Sequence, residues 1–283
     1  MAICAMMCGF DTWSEITLFA QEREPWFRRW LRLPGGIPSH DTFNRIFATL
    51  PPASLKSIFQ AWIGDIMGDE KLVGQLAVDG KALRATAKGQ GANAVHMVNV
   101  WSTELGMCVG QQKVADKSNE ITAIPELLQL LELKGCLVSI DAMGTQVKIA
   151  DTILKKSGDY LLAVKDNQPS LNTEVKEQFQ AYWDKNETDV SGHGFTEQFD
   201  SEHGRKEHRR CWVLVVDESM PVCQQWEAKT IIAVQAERIE NGKGYDFVRF
   251  YISSRALDAT SALKATRAHW SVESVPQAHK FAA

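Results

Sequence analysis

Asp79 and Asp141 each close an apolar, β-type run, in LAVDGKALR and LVSIDAMGTQ. A carboxylate at the carboxyl end of a buried strand is costly unless it has a partner. Two such carboxylates on neighbouring strands face each other, and they cannot both stay ionised without a cation. A hard metal ion, which takes oxygen ligands, resolves that conflict. The pair therefore points to metal-assisted chemistry on phosphate. A third carboxylate, Glu273, ends a helical stripe of Ala259, Leu263, Thr266, Trp270 and Glu273 at steps of three and four. It is the natural third acid of the same site.

Hydrophobic periodicity indicates the elements that must position these acids. Residues 75–79, 95–101 and 107–114 read as strands, the last two joined by a hairpin at Glu104-Leu105-Gly106. Ile121, Ile124, Leu127, Leu128 and Leu131 mark a helix, with Pro125 tolerated in its first turn. Strand 136–141, helix 147–156, strand 160–164 and helix 171–183 follow. Three strands, helix, strand, helix, strand, helix is the ribonuclease-H-like order. In that order the first and fourth strands are central neighbours, which brings Asp79 and Asp141 together. Asp79 and Asp141 merely capping turns is the plainer alternative.

The expected class is α/β: a ribonuclease-H-like mixed sheet with flanking helices, an N-terminal helical unit and an inserted β-rich region. The helical unit spans residues 1–68. Thr12 and Glu15 have capping-box spacing, Ser39 suits a helix cap, and Leu55, Ile58, Phe59, Trp62 and Ile66 repeat at helical spacing. This unit suits packing or dimerisation as well as DNA binding. Residues 69–283 form the larger domain, with the insertion at about 185–254 and strands near 211–216, 229–235 and 247–252.

With 283 residues, 45% of them hydrophobic, the chain can bury a sizeable core. No stretch is long and apolar enough to cross a bilayer, and the short apolar start lacks the form of a secretory signal. Cys4, Cys8, Cys108, Cys136, Cys211 and Cys223 are scattered, which suits free thiols in a reducing compartment. A net charge of -4 argues against a protein that merely coats nucleic acid, and leaves room for a local basic groove.

The runs GIPSHDTFNRIF, AVDGKALR, KSNEITAIPELLQLLELKG, IDAMGTQ, GDYLLAVKDNQP, HGRKEHRR, RFYISS and RAHWSVE carry a resemblance over nearly the whole chain. The sequence resembles the DDE-type transposases of bacterial insertion sequences, and within them the H-repeat-associated group found near Rhs elements. The resemblance implies that Asp79, Asp141 and Glu273 bind two magnesium ions, with manganese able to substitute. It implies strand cleavage at the element's ends and strand transfer into target DNA. The implied partners are those DNAs and, in the active state, a second copy of the chain. No membrane is implied, and the place is the cytoplasm, at the nucleoid when DNA is bound.

Lys81 and Arg84, which follow Asp79, suit DNA phosphates, with a solvated turn as the alternative; Lys165, Asn167 and Gln168 leave the fifth strand on the same edge of the sheet and suit contact with backbone or bases; the resemblance adds His269. The densest basic run, with His203, Arg205, Lys206, His208, Arg209 and Arg210, is a further candidate, although charge runs are usually only solvated. Trp270 reads as core. Lys117, Asn119 and Glu120 suggest nothing beyond helix capping.

Several features depart from the family pattern. Asp166 replaces the glycine of a KGNQ motif, which strains the backbone if φ there is positive. Thr145 replaces a common cysteine. The chain starts inside the ICAMMCGFDTW segment and ends in SVPQAHKFAA soon after Glu273, so the resemblance implies truncation at both ends, with a frameshift or rearrangement just after the third acid. Pro276 interrupts the helix just beyond Glu273, at about 3 kcal/mol in a helix interior. The expectation is a degraded transposase with weak or no activity. The alternatives are an inactive DNA-binding or dimerising remnant, and a nuclease of the same fold that cuts without joining.

Overall fold

The computed structural model describes residues 1–51, 54, 57–58, 61, 72–83, 95–114, 120–185, 194–202, 205–240 and 243–274, with backbone alone at 7, 81–83, 95, 202, 205, 239–240, 243 and 271–274. The chain forms two compact units, the first containing Met1–Gly68 and the second being Asp69–Glu273.

The first unit is helical: α1 (Ala2–Met7), α2 (Trp13–Glu22), α3 (Glu24–Phe27) and α4 (His40–Thr49). The expected capping box opens α2. Glu15 N donates to Thr12 Oγ1 at 3.2 Å, and Thr12 N donates back to Glu15 Oε2 at 3.1 Å. Ser39 Oγ caps α4 by accepting Thr42 N at 3.4 Å. Ala2, Ala5, Ile16 and Phe43 form the core of the unit. The helix expected through Leu55 to Ile66 lies largely outside the described residues.

The second unit is built on one mixed nine-stranded sheet of order β3-β2-β1-β4-β5-β9-β8-β7-β6. β1 (Gln75–Leu83), β2 (Val95–Ser102) and β3 (Met107–Val114) form an antiparallel meander. The expected hairpin turn joins β2 to β3, with Gly106 at φ +62. α5 (Glu120–Gln129) follows; Pro125 lies inside it rather than in its first turn. β4 (Leu137–Ile140) and β5 (Asp159–Val164) then add in parallel beside β1, with α6 (Val147–Lys155) between them. β4 is buried at all four residues, as a parallel strand covered on both faces must be. α7 (Pro169–Lys185) buries Leu171, Val175, Phe179 and Tyr182, one stripe at helical spacing.

β1 does not stop at Asp79. It continues to Leu83, paired with β2 as far as Leu83↔Val95, and only its pairing with β4 ends at Val78. The β-rich insertion is a continuation of the main sheet. β6 (Gly194–Glu202), β7 (Arg205–Val215), β8 (Thr230–Glu240) and β9 (Lys243–Ser253) form an antiparallel meander, with the short α8 (Pro221–Gln225) between β7 and β8. β9 closes it onto β5, from Leu161↔Ser253 to Val164↔Phe250. The last helix, α9 (Ala259–Ser274), buries Ala259, Ala262, Leu263 and Ala265 against Leu137, Leu161, Val213, Ile232 and Tyr251. It thereby covers one face of β4, β5 and the added strands.

All six cysteines are free thiols. Among the described residues, no helix is long and apolar enough to cross a membrane.

Candidate active site

Parallel pairing of β1 with β4 runs from Gln75↔Leu137 to Val78↔Ile140. Asp79 and Asp141 are the next residue on each chain. Side chains alternate across a strand, so Gln75, Ala77 and Asp79 share a face with Leu137 and Ser139. Asp141 continues that parity with an extended backbone, φ -68 and ψ 173. The face is the one that α9 covers.

One amide fastens these three elements. Gln75 Nε2 donates to Ser139 Oγ at 2.8 Å and to the Ala265 carbonyl at 2.9 Å. Ser139 Oγ lies 3.1 Å from His269 Nδ1. The sequence reading passed over Gln75, because a glutamine opening an apolar run looks like a boundary residue. Glu273 stands four residues after His269, about 6 Å further along the same side of α9. Its side chain lies outside the described residues, as does Pro276. Among the described residues, no three His, Cys, Asp or Glu side chains stand together as a cation site.

Asp141 is exposed, and its Oδ1 accepts Gly144 N at 3.2 Å, capping the single 3-10 turn Ala142–Gly144. The glycine of the DAMG run is required there: a Cβ on Gly144 would collide with Ile140 Cγ2. The glycine after Asp79 has a similar reason. A Cβ on Gly80 would occupy the place of the Glu120 carboxylate, which is buried and 3.9 Å from His96 Nδ1. Glu120 therefore packs onto the strand next to Asp79.

The loop after β5 holds the Asp141 loop in place. Asn167 Nδ2 donates to the Ala142 carbonyl at 2.6 Å, and Gln168 Nε2 to the Thr145 carbonyl at 2.9 Å. Buried Thr145 donates to the Ala163 carbonyl at 2.6 Å. Asp166 accepts Asn172 Nδ2 at 2.8 Å and lies 4.0 Å from Lys176 Nζ. Its φ is not positive, since Ser157 and Glu227 are the described non-glycine residues with that conformation. The strain considered for Asp166 does not arise.

A cleft of about 180 Å³ opens beside Asp141, lined among others by Lys165, Asp166, Lys176, Arg249, His269 and Trp270. Trp270, expected in the core, is half-buried in this wall. The basic run on β7 is mostly matched by carboxylates from neighbouring strands. Arg209 pairs with Asp200 and, at 2.6 Å, with Glu207. Arg210 pairs with Glu237 at 3.0 Å, and His208 with Glu197 at 2.9 Å. Lys206 is exposed. His203, Arg84, Lys117 and Asn119 and the side chains of Arg205 and Lys81 lie outside the described residues.

Comparison with known proteins gives this geometry its family. The Transposase DDE domain model matches residues 74–280, and the DDE_Tnp_1-associated model matches residues 1–63. The chain belongs to the DDE transposase family. This transposase is 36% identical over 259 residues to an uncharacterised protein of the dhlA 3' region of Xanthobacter autotrophicus, covering 91% of this chain and 86% of that one. It is 38% identical over 281 residues to YncI of Escherichia coli O157:H7, named as a transposase, covering 96% of this chain and 70% of that one. It is 37% identical over 281 residues to YhhI of Escherichia coli (strain K12), named as an H repeat-associated transposase, covering 96% and 73%.

His269 gives the transposase site a measurable pH signature. Burial lowers its pKa below 6.5, partly offset by the Asp141 charge and by Ser139. The folded state then binds a proton less readily than the unfolded chain. His269 therefore contributes its full share above about pH 6.5, and that share is lost as pH falls from 6.5 through the lower folded pKa. The resistance of metal-free protein to denaturant is expected to fall as pH drops through that window, with a shallower slope in His269→Gln. Equal slopes in the two proteins would remove His269 as the cause.

Proposed function

We propose that the chain is a metal-dependent transposase that cleaves DNA strands at the ends of an insertion sequence and joins them to target DNA. The observation that carries this reading is the register of β1 and β4, with Asp79 and Asp141 following a paired Val78 and Ile140 on the face under α9. The strand order supports a ribonuclease-H-like catalytic domain over residues 69–283, with residues 1–68 as a separate helical domain.

In this reading Asp79, Asp141 and Glu273 hold two magnesium ions. The fit is chemical: carboxylate oxygens at adjoining register positions suit a hard cation. When bound, the ions supply activation of the attacking water or 3′ hydroxyl and charge stabilisation at the leaving oxygen. The protein's own groups do the positioning. Gln75 and Ser139 hold α9 against both aspartate strands. Asn167, Gln168 and Thr145 fix the loop that presents Asp141. Lys165 and His269 line the cleft where the DNA strand enters, while Lys206 extends contact along β7. Arg209 and Arg210, already paired with carboxylates, contribute less free charge to DNA binding. The active form is a homodimer.

A second reading, a copy of weak or no activity that still binds DNA, is favoured by Pro276. A proline three residues past Glu273 disfavours further helix and loosens the turn that carries the acid. The test is incubation of the protein with duplex DNA from the borders of its own gene and a target plasmid, in magnesium and in calcium. Cut and joined product supports the transposase. Cutting without joining indicates a nuclease. Binding in calcium with no cutting in magnesium supports the inactive remnant.

A further inference from the structure

Arg249 is exposed on β9, and it differs from five other described arginines. Arg28, Arg209, Arg210, Arg255 and Arg267 each face a carboxylate, at 3.2 Å or closer. Arg249 makes no such pair among the described residues. Aromatic rings hold it in place: its guanidinium carbon lies 4.6 Å from the centroid of Phe247 and 4.7 Å from that of Trp270. Phe247 and Arg249 are two apart on β9 and so share a face with Tyr251. That face meets α9, which supplies Trp270.

Ring contact does not consume the N–H donors of a guanidinium; Arg249 shares one with the Tyr251 hydroxyl, and the others match the spacing of phosphate oxygens. The group lies in the wall of the cleft that also contains Asp141, Lys165 and Lys176. The nearby Asp166 is already taken up by Asn172 and Lys176. A strand of DNA bearing its scissile bond near Asp141 would bring an adjacent backbone phosphate to this wall.

We infer that Arg249, clamped between Phe247 and Trp270, is a phosphate-gripping residue that fixes the DNA backbone in the cleft beside Asp141. The inference rests on the proposed function, since it takes the cleft to hold DNA. It assigns Trp270 a part beyond packing, as the surface that keeps the guanidinium plane oriented.

The test measures binding of the full-length protein to a fluorescein-labelled duplex from the borders of its gene, in calcium, over a series of salt concentrations. Loss of one phosphate contact weakens binding roughly tenfold at ~0.1 M salt and reduces the magnitude of the log–log salt slope by about one. Arg249→Gln is expected to show both effects. Arg249→Lys is expected to keep the slope and lose part of the affinity, because it retains the charge without the fork. Thermal unfolding of each variant reports folding. Arg249→Gln with wild-type affinity and slope would overturn the inference, and a lowered melting temperature alone would assign Arg249 to packing. Wild-type protein that fails to bind the duplex at all would overturn the proposed function together with the subsite.

Discussion

Asp141→Asn is expected to remove divalent-ion binding and to lower strand cleavage about a thousandfold, roughly 4 kcal/mol of barrier. The substitution isolates charge from structure. Asp141 caps its turn through Oδ1 and the Gly144 N–H, and asparagine caps as well as aspartate. The turn and the loop bonds of Thr145, Asn167 and Gln168 therefore survive. What changes is one negative charge beside Asp79. Without metal, two adjoining carboxylates repel each other, so the variant unfolds at the same temperature as the parent or a higher one. With manganese the order reverses, because a ligand that binds only the folded state stabilises it by mass action. The parent's melting temperature rises with manganese while the variant's stays flat. Asp141→Ala separates the two roles further, since it also loses the cap, at about 1 kcal/mol. A manganese-induced shift of equal size in parent and Asp141→Asn would sink the assignment, whatever the turnover of either protein.

The aspartate pair was legible because both acids interrupt apolar runs, and local chemistry makes such interruptions conspicuous. Their adjacency followed from element order, since three strands before a helix leave β1 and β4 as neighbours. The extension of β1 to Leu83 was hidden by GKALR, whose polar residues resemble a turn. β6 was missed for a different reason. GFTEQFDSE lies at the sheet's edge, with polar residues on both faces, and so has no clean alternation. The basic run shows the limit of reading charge in one dimension. Its cations are contiguous, but Glu197, Asp200 and Glu237 reach them only through the pairing of β6, β7 and β8. Asn167 and Gln168 were legible as polar residues at the right edge of the sheet. That their amides bind the Ala142 and Thr145 carbonyls depends on a loop approach no local pattern encodes. Arg249 lay inside a recognised run, RFYISS, and its significance appears only when α9 sets Trp270 beside it.

Phe179→Ala is expected to cost about 3–5 kcal/mol of stability, the range for truncating a buried aromatic. Phe179 is fully buried on α7, with ring centroids 5.6 Å from Trp183 and 5.8 Å from Phe250. Trp183 in turn meets Trp212 on β7 edge to face at 5.5 Å. The ring is thus a point where α7 packs onto β9 of the meander. For a unit of this size the melting temperature should fall by about 10 °C, taking 2–4 °C per kcal/mol. Phe179→Leu, which keeps most of the volume, should lose much less. Phe250 stands between Arg249 and Tyr251, so slack behind it is transmitted to the cleft wall. If β9 is held by this packing, Phe179→Ala weakens DNA binding in calcium even at temperatures where the protein remains folded. A melting temperature within 2 °C of the parent, well below the expected ~10 °C drop, would show that α7 does not secure the meander.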